Sequence, residues 1–236
     1  MADHIVWDWN GTLFHDLDAL LVANNEICRS YGLAALDSDT YRQKFTRPVW
    51  RMYERMLGRR LRPGEWQVLD EQFQHHYHRL SATCGLTDGA LDCLVAWAAT
   101  GRTQSLLSMW DHGRLVVRAS ELGIAPYLHP IDGTRVSGAG GGHKAPHLLA
   151  HIRKLPVPPH RIVVIGDTLD DARAAHRAGA HAVLYTQGQT TPTHLEQAGV
   201  PLANTLSEAL HHATHIPTPT YRSPVAATTD RKSLLP

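Results

Sequence analysis

The strongest constraint on the fold is a regular alternation of apolar runs and helical segments that begins near residue 87. Short, almost continuously apolar runs predict strands at residues 103–107, 127–131, 161–165, 182–185 and 200–203. Helical periodicity fills the segments between them. Runs of this kind are typical of strands buried on both faces, and such strands are joined by right-handed helical crossovers. The pattern therefore predicts an α/β fold built on a doubly wound parallel sheet.

The N-terminal third departs from this alternation. An apolar strand is predicted at residues 5–7, but residues 15–82 carry helical periodicity with almost no strand signal. Three helices are predicted there, one that stops at Gly32, one over residues 39–57 and one from about residue 63 to 80. A helical block inserted directly after the first strand predicts a small all-helical cap domain attached to a Rossmann-like core.

These patterns divide the chain into three parts. Residues 1–14 and 86–213 are predicted to form the core domain, and residues 15–85 the helical cap domain. The remaining residues, 214–236, are rich in Pro, Thr and Ser, which predicts a disordered tail.

Composition and charge argue against several classes of protein. The 236 residues carry a formal net charge of +1, so nothing favours nucleic acid or an anionic membrane as a partner. Cys28, Cys84 and Cys93 lack CxxC spacing and suit reduced thiols. No apolar run approaches the roughly 20 residues of a membrane span, and the first strand follows Met1 too closely for a signal peptide. We expect a cytoplasmic protein.

Four short segments place chemistry-bearing side chains at the ends of predicted strands, where open α/β sheets bind their ligands. Asp8-Trp-Asn-Gly-Thr12 follows the first strand, and Ser108 closes the strand at 103–107. Lys144 lies in the sequence Gly-His-Lys-Ala-Pro, and Asp167 and Asp171 follow the strand at 161–165. Two acids at one helix start are oxygen ligands of the kind that Mg²⁺ prefers.

In order and spacing, these segments resemble the four motifs of the haloacid dehalogenase-like hydrolase superfamily. The helix end Ala-Arg-Ala-Ala-His-Arg-Ala-Gly-Ala at residues 172–180 is similar to that of its phosphoglycolate phosphatase-like branch, in which a helical cap is inserted after the first motif. The resemblance covers roughly residues 4–210. It implies a Mg²⁺-dependent phosphatase that acts on a small phosphorylated metabolite.

The resemblance also implies a role for each motif residue. Asp8 would attack phosphorus and form an aspartyl-phosphate, while Ser108 and Lys144 would hold the phosphoryl oxygens. The metal would be bound by a set of four residues: directly by Asp8, Asp167 and the backbone carbonyl of Asn10, and mostly through water by Asp171.

Asn10 departs from the superfamily pattern DxDGT, whose second acid protonates the leaving group and then activates water. An amide side chain has no titrating proton for this work, and losing a positioned general acid–base costs about 10²–10⁴-fold in rate. The backbone ligand is unaffected because every residue has a carbonyl. We expect an attenuated phosphatase that favours good leaving groups; relocated proton transfer is one alternative, and a non-catalytic phosphate-ligand-binding or regulatory module is another.

His15 and Asp16 are the nearest candidates for relocated proton transfer. Each has a more ordinary interpretation, His15 as a surface residue at the hinge and Asp16 as a first-turn helix acid. A dehalogenase-type hydrolase would not need the missing acid, since halide leaves without a proton. That branch generally dispenses with Mg²⁺ and part of the acidic pair, whereas Asp167 and Asp171 are both present, so it ranks lower.

Arg47, in the sequence Thr-Arg-Pro of the cap, is a candidate for binding an anionic group of the substrate through its two-pronged guanidinium. His147 and His151 stand at a spacing that can hold a metal, but no companion ligand accompanies them, and we interpret them as surface residues. Neither the substrate nor the oligomeric state follows from the sequence.

Overall fold

The computed structural model describes residues 1–136, 138 and 141–216. Its strands are β1 (His4–Trp7), β2 (Phe14–His15), β3 (Gly85–Leu86), β4 (Thr103–Asp111), β5 (Ile131–Thr134), β6 (Ile162–Gly166), β7 (His181–Tyr185) and β8 (Leu202–Ala203). Within the described residues, six of them form one parallel sheet in the order β5-β4-β1-β6-β7-β8. The predicted doubly wound parallel sheet is confirmed.

The helices fall into two groups. The first four lie in the segment predicted to form the cap, and the others follow in the segment that holds most of the sheet: α1 (Leu17–Ser30), α2 (Ser38–Lys44), α3 (Trp50–Leu57), α4 (Glu65–Ser81), α5 (Ala90–Ala99), α6 (His112–Glu121), α7 (Ala145–Ile152), α8 (Leu169–Arg177), α9 (Pro192–Leu195) and α10 (Leu206–Thr214). None of these described helices is both long enough and apolar enough to cross a bilayer.

The central strands are buried on both faces, as their apolar sequences predict. Strand β1 lies between β4 and β6, with Trp7 opposite Leu106 on one side and Ile165 on the other. These three side chains share a buried cluster with residues of the cap. The alternate residues Val6 and Leu107 point to the other face and pack with residues of α7 and α8.

The cap differs from its prediction in two places. The helix predicted over residues 39–57 is two helices, because α2 ends at Lys44 and α3 begins at Trp50. The connection holds Arg47 and Pro48, and proline removes a backbone donor and disfavours a helical residue before it. In addition, β2 and β3 form an antiparallel pair, with Phe14 opposite Leu86, where the chain enters and leaves the cap.

Other boundaries shift by a few residues. The strand predicted at 127–131 lies instead at Ile131–Thr134, and the one at 200–203 is reduced to Leu202–Ala203. Helix α10 extends to Thr214, and Ile216 packs against the core, so the first residues of the predicted tail are ordered. The rest of that prediction, residues 217–236, lies outside the described residues.

Candidate active site

The four predicted segments meet at the carboxyl edge of the sheet. Asp8 follows β1, Ser108 lies in β4, and Asp167 follows β6. Lys144 immediately precedes α7, and Asp171 lies in the first turn of α8. All five side chains are buried. The topology thus brings together residues that are up to 163 positions apart, from Asp8 to Asp171.

Three carboxylates form the centre of the site. Asp8, Asp167 and Asp171 each offer an oxygen, and these oxygens lie within 4.8 Å of one another. The Lys144 ammonium donates to Asp8, and to Asp171 Oδ1 at 2.6 Å. One lysine therefore faces three carboxylates, which leaves an excess of negative charge in a region with little water. A divalent cation with oxygen ligands fits both the donors and the charge.

The pKa values reflect this crowding. Burial, reinforced by the negative charge of Asp8, holds the pKa of Asp167 well above its usual value. Burial also raises the pKa of Asp8, against the opposing charge of Lys144. Burial works in the same direction at Asp171, but the charge and hydrogen bond of Lys144 outweigh it and lower the pKa of that carboxyl. The pKa values of Asp8 and Asp167 are therefore both raised, and a bound cation would favour the ionised form of these two carboxyls.

The Asp167 side chain is held closely by the loop after β7 and by Thr12. Gln189 donates its amide N–H to Asp167 Oδ2 at 2.6 Å, and the Thr12 hydroxyl donates to Asp167 Oδ1 at 3.3 Å. A Cβ added at Gly188 would lie only 2.2 Å from Asp167 Oδ2. The loop after β7 therefore helps to position this carboxylate, and only glycine leaves it room.

Asn10 is held in a hydrogen-bonded cluster with Asp16 and Tyr77. Its Nδ2 donates to Asp16 Oδ2 at 2.7 Å and to the Tyr77 hydroxyl at 2.8 Å. The Tyr77 hydroxyl donates to the same Asp16 oxygen at 2.5 Å, and the Gly11 amide donates to Asp16 Oδ1 at 3.0 Å. The Asn10 backbone carbonyl accepts from Gln189 Nε2 at 3.1 Å, and its second lone pair can still bind a cation.

Asp16 therefore differs from a simple first-turn acid. It stands at the N-cap of α1, but its side chain makes no capping bond and is almost fully buried. Burial raises the pKa of Asp16 to about 6, although the hydrogen bonds from Tyr77 and Asn10 oppose the shift. His15, in contrast, is exposed on β2 and agrees with the interpretation as a hinge-surface residue.

The other two predicted residues lie on opposite sides of the site. The Ser108 hydroxyl accepts the backbone N–H of Trp110 at 3.0 Å, which leaves its own proton to donate. Arg47 lies on the loop between α2 and α3, where its Nη1 donates to the Gly142 carbonyl at 3.2 Å. The neighbouring Val49 donates its N–H to the Gly141 carbonyl at 2.7 Å. The cap is thus fastened to the loop that precedes Lys144.

Comparison with known proteins agrees with this geometry. Residues 141–209 match the model of a family described as HAD-hydrolase-like. None of the curated proteins compared with the chain matches it. A predicted phosphatase from Clostridium acetobutylicum superposes with a TM-score of 0.80 at 14% identity, over 92% of this chain and 100% of that one. The chain has the fold of a haloacid dehalogenase-like hydrolase.

Two further structures of this superfamily are similar. A predicted phosphoglycolate phosphatase from Haemophilus somnus superposes with a TM-score of 0.67 at 20% identity, over 89% of this chain and 97% of that one. An Asp-to-Asn variant of CbbY from Rhodobacter sphaeroides, in complex with xylulose-(1,5)bisphosphate, has a TM-score of 0.67 at 22% identity, over 88% and 96% of the two chains. The fold that the resemblance implies is confirmed, and the family model matches the segment that holds Lys144, Asp167 and Asp171.

The Gly11 turn gives a test of how tightly the carboxylates are packed. Gly11 has a φ of +71°, and a Cβ there would lie 2.4 Å from Asp167 Oδ2. Gly32 has a similar φ of +66° but nothing within 4 Å of its added Cβ. We expect Gly11→Ala to weaken Mg²⁺ binding at least tenfold and Gly32→Ala to leave it unchanged. Both variants introduce a backbone strain of about 1 kcal/mol, but only Gly11→Ala displaces Asp167. Calorimetric Mg²⁺ titration of both variants measures this, and equal affinities would show that Asp167 is not a ligand.

The interpretation of His151 as a surface residue is wrong. Helix α7 packs on the sheet, and His151 is 1% exposed, with its Nε2 2.7 Å from Ser105 Oγ and its Nδ1 2.7 Å from Asp132 Oδ2. His4 Nε2 contacts the same Ser105 oxygen at 2.8 Å. This order of serine, histidine and aspartate resembles a catalytic triad with a serine nucleophile. Ser105 is fully buried beneath α7, however, so no substrate can reach it.

The buried network predicts a pH effect on stability. Burial, with a smaller contribution from His151, lowers the pKa of His4 from 6.5 to about 4. Below pH 6.5 the unfolded chain therefore binds a proton that the folded chain does not, so His4 destabilises the fold as pH falls. Between pH 6.5 and 5 this amounts to about 2 kcal/mol. Denaturant unfolding should show a smaller loss over this interval in His4→Gln than in wild type; identical losses would contradict the assignment.

Proposed function

We propose that this protein is a Mg²⁺-dependent phosphatase that hydrolyses a small phosphorylated metabolite through an aspartyl-phosphate on Asp8. The observation that carries the proposal is the buried cluster of Asp8, Asp167 and Asp171 with Lys144 bonded to two of the three. A carboxylate nucleophile, a fixed cation and a site for a divalent metal are the parts that phosphoryl transfer requires.

Each residue would contribute a distinct part. An Asp8 oxygen attacks phosphorus in line with the leaving oxygen, while the Lys144 ammonium and the Ser108 hydroxyl donate to the phosphoryl oxygens. Asp8, Asp167 and the Asn10 carbonyl would hold Mg²⁺, with Asp171 acting mainly through water. The metal would offset the repulsion between the phosphoryl oxygens and Asp8.

Asn10 sets the rate that this site can reach. Its amide donates two hydrogen bonds to neighbours that already hold it in place, and it has no proton that it can release to a leaving oxygen. We therefore infer an attenuated enzyme in which both protonation of the leaving group and activation of water are slow. The Asp-to-Asn variant of CbbY that holds a sugar bisphosphate is a neighbour in which such a substitution is compatible with binding a phosphorylated ligand.

The first experiment is a turnover assay with small phosphate monoesters and acyl phosphates, with and without Mg²⁺. We expect slow release of inorganic phosphate that requires Mg²⁺ and disappears in Asp8→Asn. Unchanged turnover in Asp8→Asn would contradict the proposed nucleophile. Tight binding of a phosphorylated compound without any turnover would instead favour the second candidate, a non-catalytic phosphate-binding or regulatory module, which the Asn10 substitution also permits.

A dehalogenase activity ranks below both. Asp167 and Asp171 lie together in the carboxylate cluster, and the charge of that cluster fits a divalent cation that the dehalogenase branch generally lacks. Release of chloride from a 2-chloro acid, at a rate above that of phosphate release, would reverse this order.

A further inference from the structure

A cavity between the cap and the core adjoins the proposed phosphoryl site. Asn10 and Gln189 line its core end, together with Met109, which follows Ser108, and Gly141, which lies on the loop before Lys144. For a phosphate ester whose phosphorus lies against Asp8, this cavity beside Asn10 offers space for the leaving group. The cavity measures about 90 Å³. An apolar cavity on the order of 150 Å³ holds benzene, so this smaller cavity leaves no room for a group larger than one small ring.

The walls of the cavity are mostly apolar. Among the described residues that line it, seven carry aromatic rings and four more carry aliphatic or thioether side chains. Helix α4 contributes Trp66, Phe73 and Tyr77, and the segment before α3 contributes Phe45 and Val49. Rings of this kind bind apolar and aromatic ligands through large contact areas.

The hydroxyl groups of the lining tyrosines are already used within the protein. Tyr53 donates to Asn24 Oδ1 at 2.8 Å, and Tyr41 donates to Gln189 Oε1 at 3.2 Å. The Tyr77 hydroxyl belongs to the cluster with Asp16 described above.

The lining amides are paired as well. Asn24 Nδ2 donates to the Leu20 carbonyl at 2.7 Å, and Gln74 Nε2 donates to Asp70 at 3.3 Å. Arg47 and Asp70 also line the cavity, and Trp110 Nε1 is a lining donor without a hydrogen-bond partner among the described residues. The tyrosines and amides offer a sugar or polyol few unused groups to replace its hydration. A carbon ring makes no such demand.

We propose that the substrate is an aryl phosphate, a monoester in which the phosphoryl group is carried by the oxygen of a small aromatic ring. The proposal rests on the phosphatase function above and deepens it through two independent observations. Apolar and aromatic side chains form most of the cavity wall, and Asn10 supplies no proton. An aryl oxide leaves without a proton, since a phenol ionises at a pH of about 10 whereas water, which alkyl alcohols resemble, ionises at about 15.7.

The reaction is balanced without a general acid. An Asp8 oxygen forms a bond to phosphorus as the bond from phosphorus to the aryl oxygen breaks, and the aryl oxide departs with the electron pair and takes a proton from solvent. Water then attacks phosphorus of the aspartyl-phosphate, the bond to Asp8 breaks, and inorganic phosphate leaves.

Four compounds separate the effect of ring binding in the cavity from the effect of the leaving group. Phenyl phosphate has a ring and a good leaving group, benzyl phosphate a ring and a poor one, acetyl phosphate a good leaving group without a ring, and ethyl phosphate neither. If the cavity binds the ring, KM is lower by about tenfold or more for phenyl than for acetyl phosphate, and for benzyl than for ethyl phosphate, in the range that an apolar pocket achieves. Equal KM values within each pair, with turnover retained, would overturn the aryl proposal and leave the phosphatase proposal standing.

If none of the four compounds turns over, that result counts against the phosphatase function alone. The aryl proposal can then still be tested by measuring ligand binding. Calorimetry of the Mg²⁺-loaded protein with benzylphosphonate and methylphosphonate then measures the cavity directly. A preference of at least about tenfold for benzylphosphonate is expected, and equal affinities would overturn the proposal.

A matched pair of variants on α4 locates the effect. Phe73 lines the cavity, whereas Val68 is on the same helix, is exposed and is not part of the lining. Phe73→Leu should raise KM for phenyl and benzyl phosphate several-fold while leaving KM for acetyl and ethyl phosphate unchanged. Val68→Ala should change none of them. A uniform change across all four compounds in Phe73→Leu would show that the ring does not bind in this cavity.

Discussion

The double variant Asn10→Asp/Asp16→Asn should hydrolyse ethyl phosphate faster than wild type by about 10²–10⁴-fold, the contribution of a positioned general acid–base. The exchange places a carboxyl group at position 10, which lines the cavity, and an amide at position 16. The 2.7 Å hydrogen bond between the two side chains is retained, but the side chain at position 16 now donates it and the side chain at position 10 accepts it. Phenyl phosphate should gain much less in the step that forms the aspartyl-phosphate, because its leaving group needs no proton.

The single variant Asn10→Asp is the control for this design. It places two buried carboxylates at hydrogen-bond distance, and such a pair must share a proton. We expect it to be faster than wild type on ethyl phosphate but less stable than the double variant, as measured by Tm. If neither variant exceeds wild type on ethyl phosphate, then Asn10 does not limit the chemistry.

Lys144→Met should have the largest effect on both stability and activity. Removal of the ammonium leaves Asp8 and Asp171 without their common partner, close to a third buried carboxylate, and breaking a buried ion pair costs about 3–5 kcal/mol. Turnover should fall by about 10²–10³-fold, as for the loss of one donor to a developing oxyanion. Urea unfolding and phosphate release measure the two effects, and added Mg²⁺ should restore part of the stability because it offsets the same charge.

Lys154→Met is the matched control for that variant. Lys154 also contacts a carboxylate, Asp132 Oδ2 at 2.7 Å, but its side chain is half exposed, at 50%. Exposed ion pairs contribute about 0–1 kcal/mol, and Asp132 keeps its hydrogen bond with His151 when Lys154 is removed. This variant should therefore lose far less stability than Lys144→Met and should retain turnover. Equal losses in the two variants would show that the Lys144 pair has no special role.

Much of this architecture follows from local sequence. Asp8, Ser108 and Asp167 were found because each follows a predicted apolar strand, and parallel strands bring their carboxyl ends to one edge of the sheet. Strand β4 in fact continues past Ser108 to Asp111. The two acids Asp167 and Asp171 suggested a Mg²⁺ site, and phosphoryl transfer was implied by the resemblance to the superfamily. Identifying Lys144 needed the resemblance to a family, since a lysine before a helix is ordinary by itself.

The residues that the sequence did not reveal depend on tertiary packing. Tyr77 reaches Asn10 only because α4 crosses the mouth of the core, and nothing in its helical pattern separates it from a core tyrosine. The sequence favours Asp16 as a first-turn helix acid, whereas the fold buries its side chain. Gln189 lies on the loop after β7, a strand end where a search for polar side chains would have found it. His151 was placed on the surface because its partners, Ser105 and Asp132, come from other strands.

The central claim is that Asp8 becomes phosphorylated and that Asn10 delays its release. Covalent catalysis of this type gives a burst of product when the second step is slow. We predict that mixing Mg²⁺-loaded protein with phenyl phosphate in a rapid-quench instrument releases one phenol per active site before a slow steady state, and that acid-quenched protein carries the phosphoryl group on Asp8. A linear time course without a burst, together with unmodified Asp8, would contradict the account.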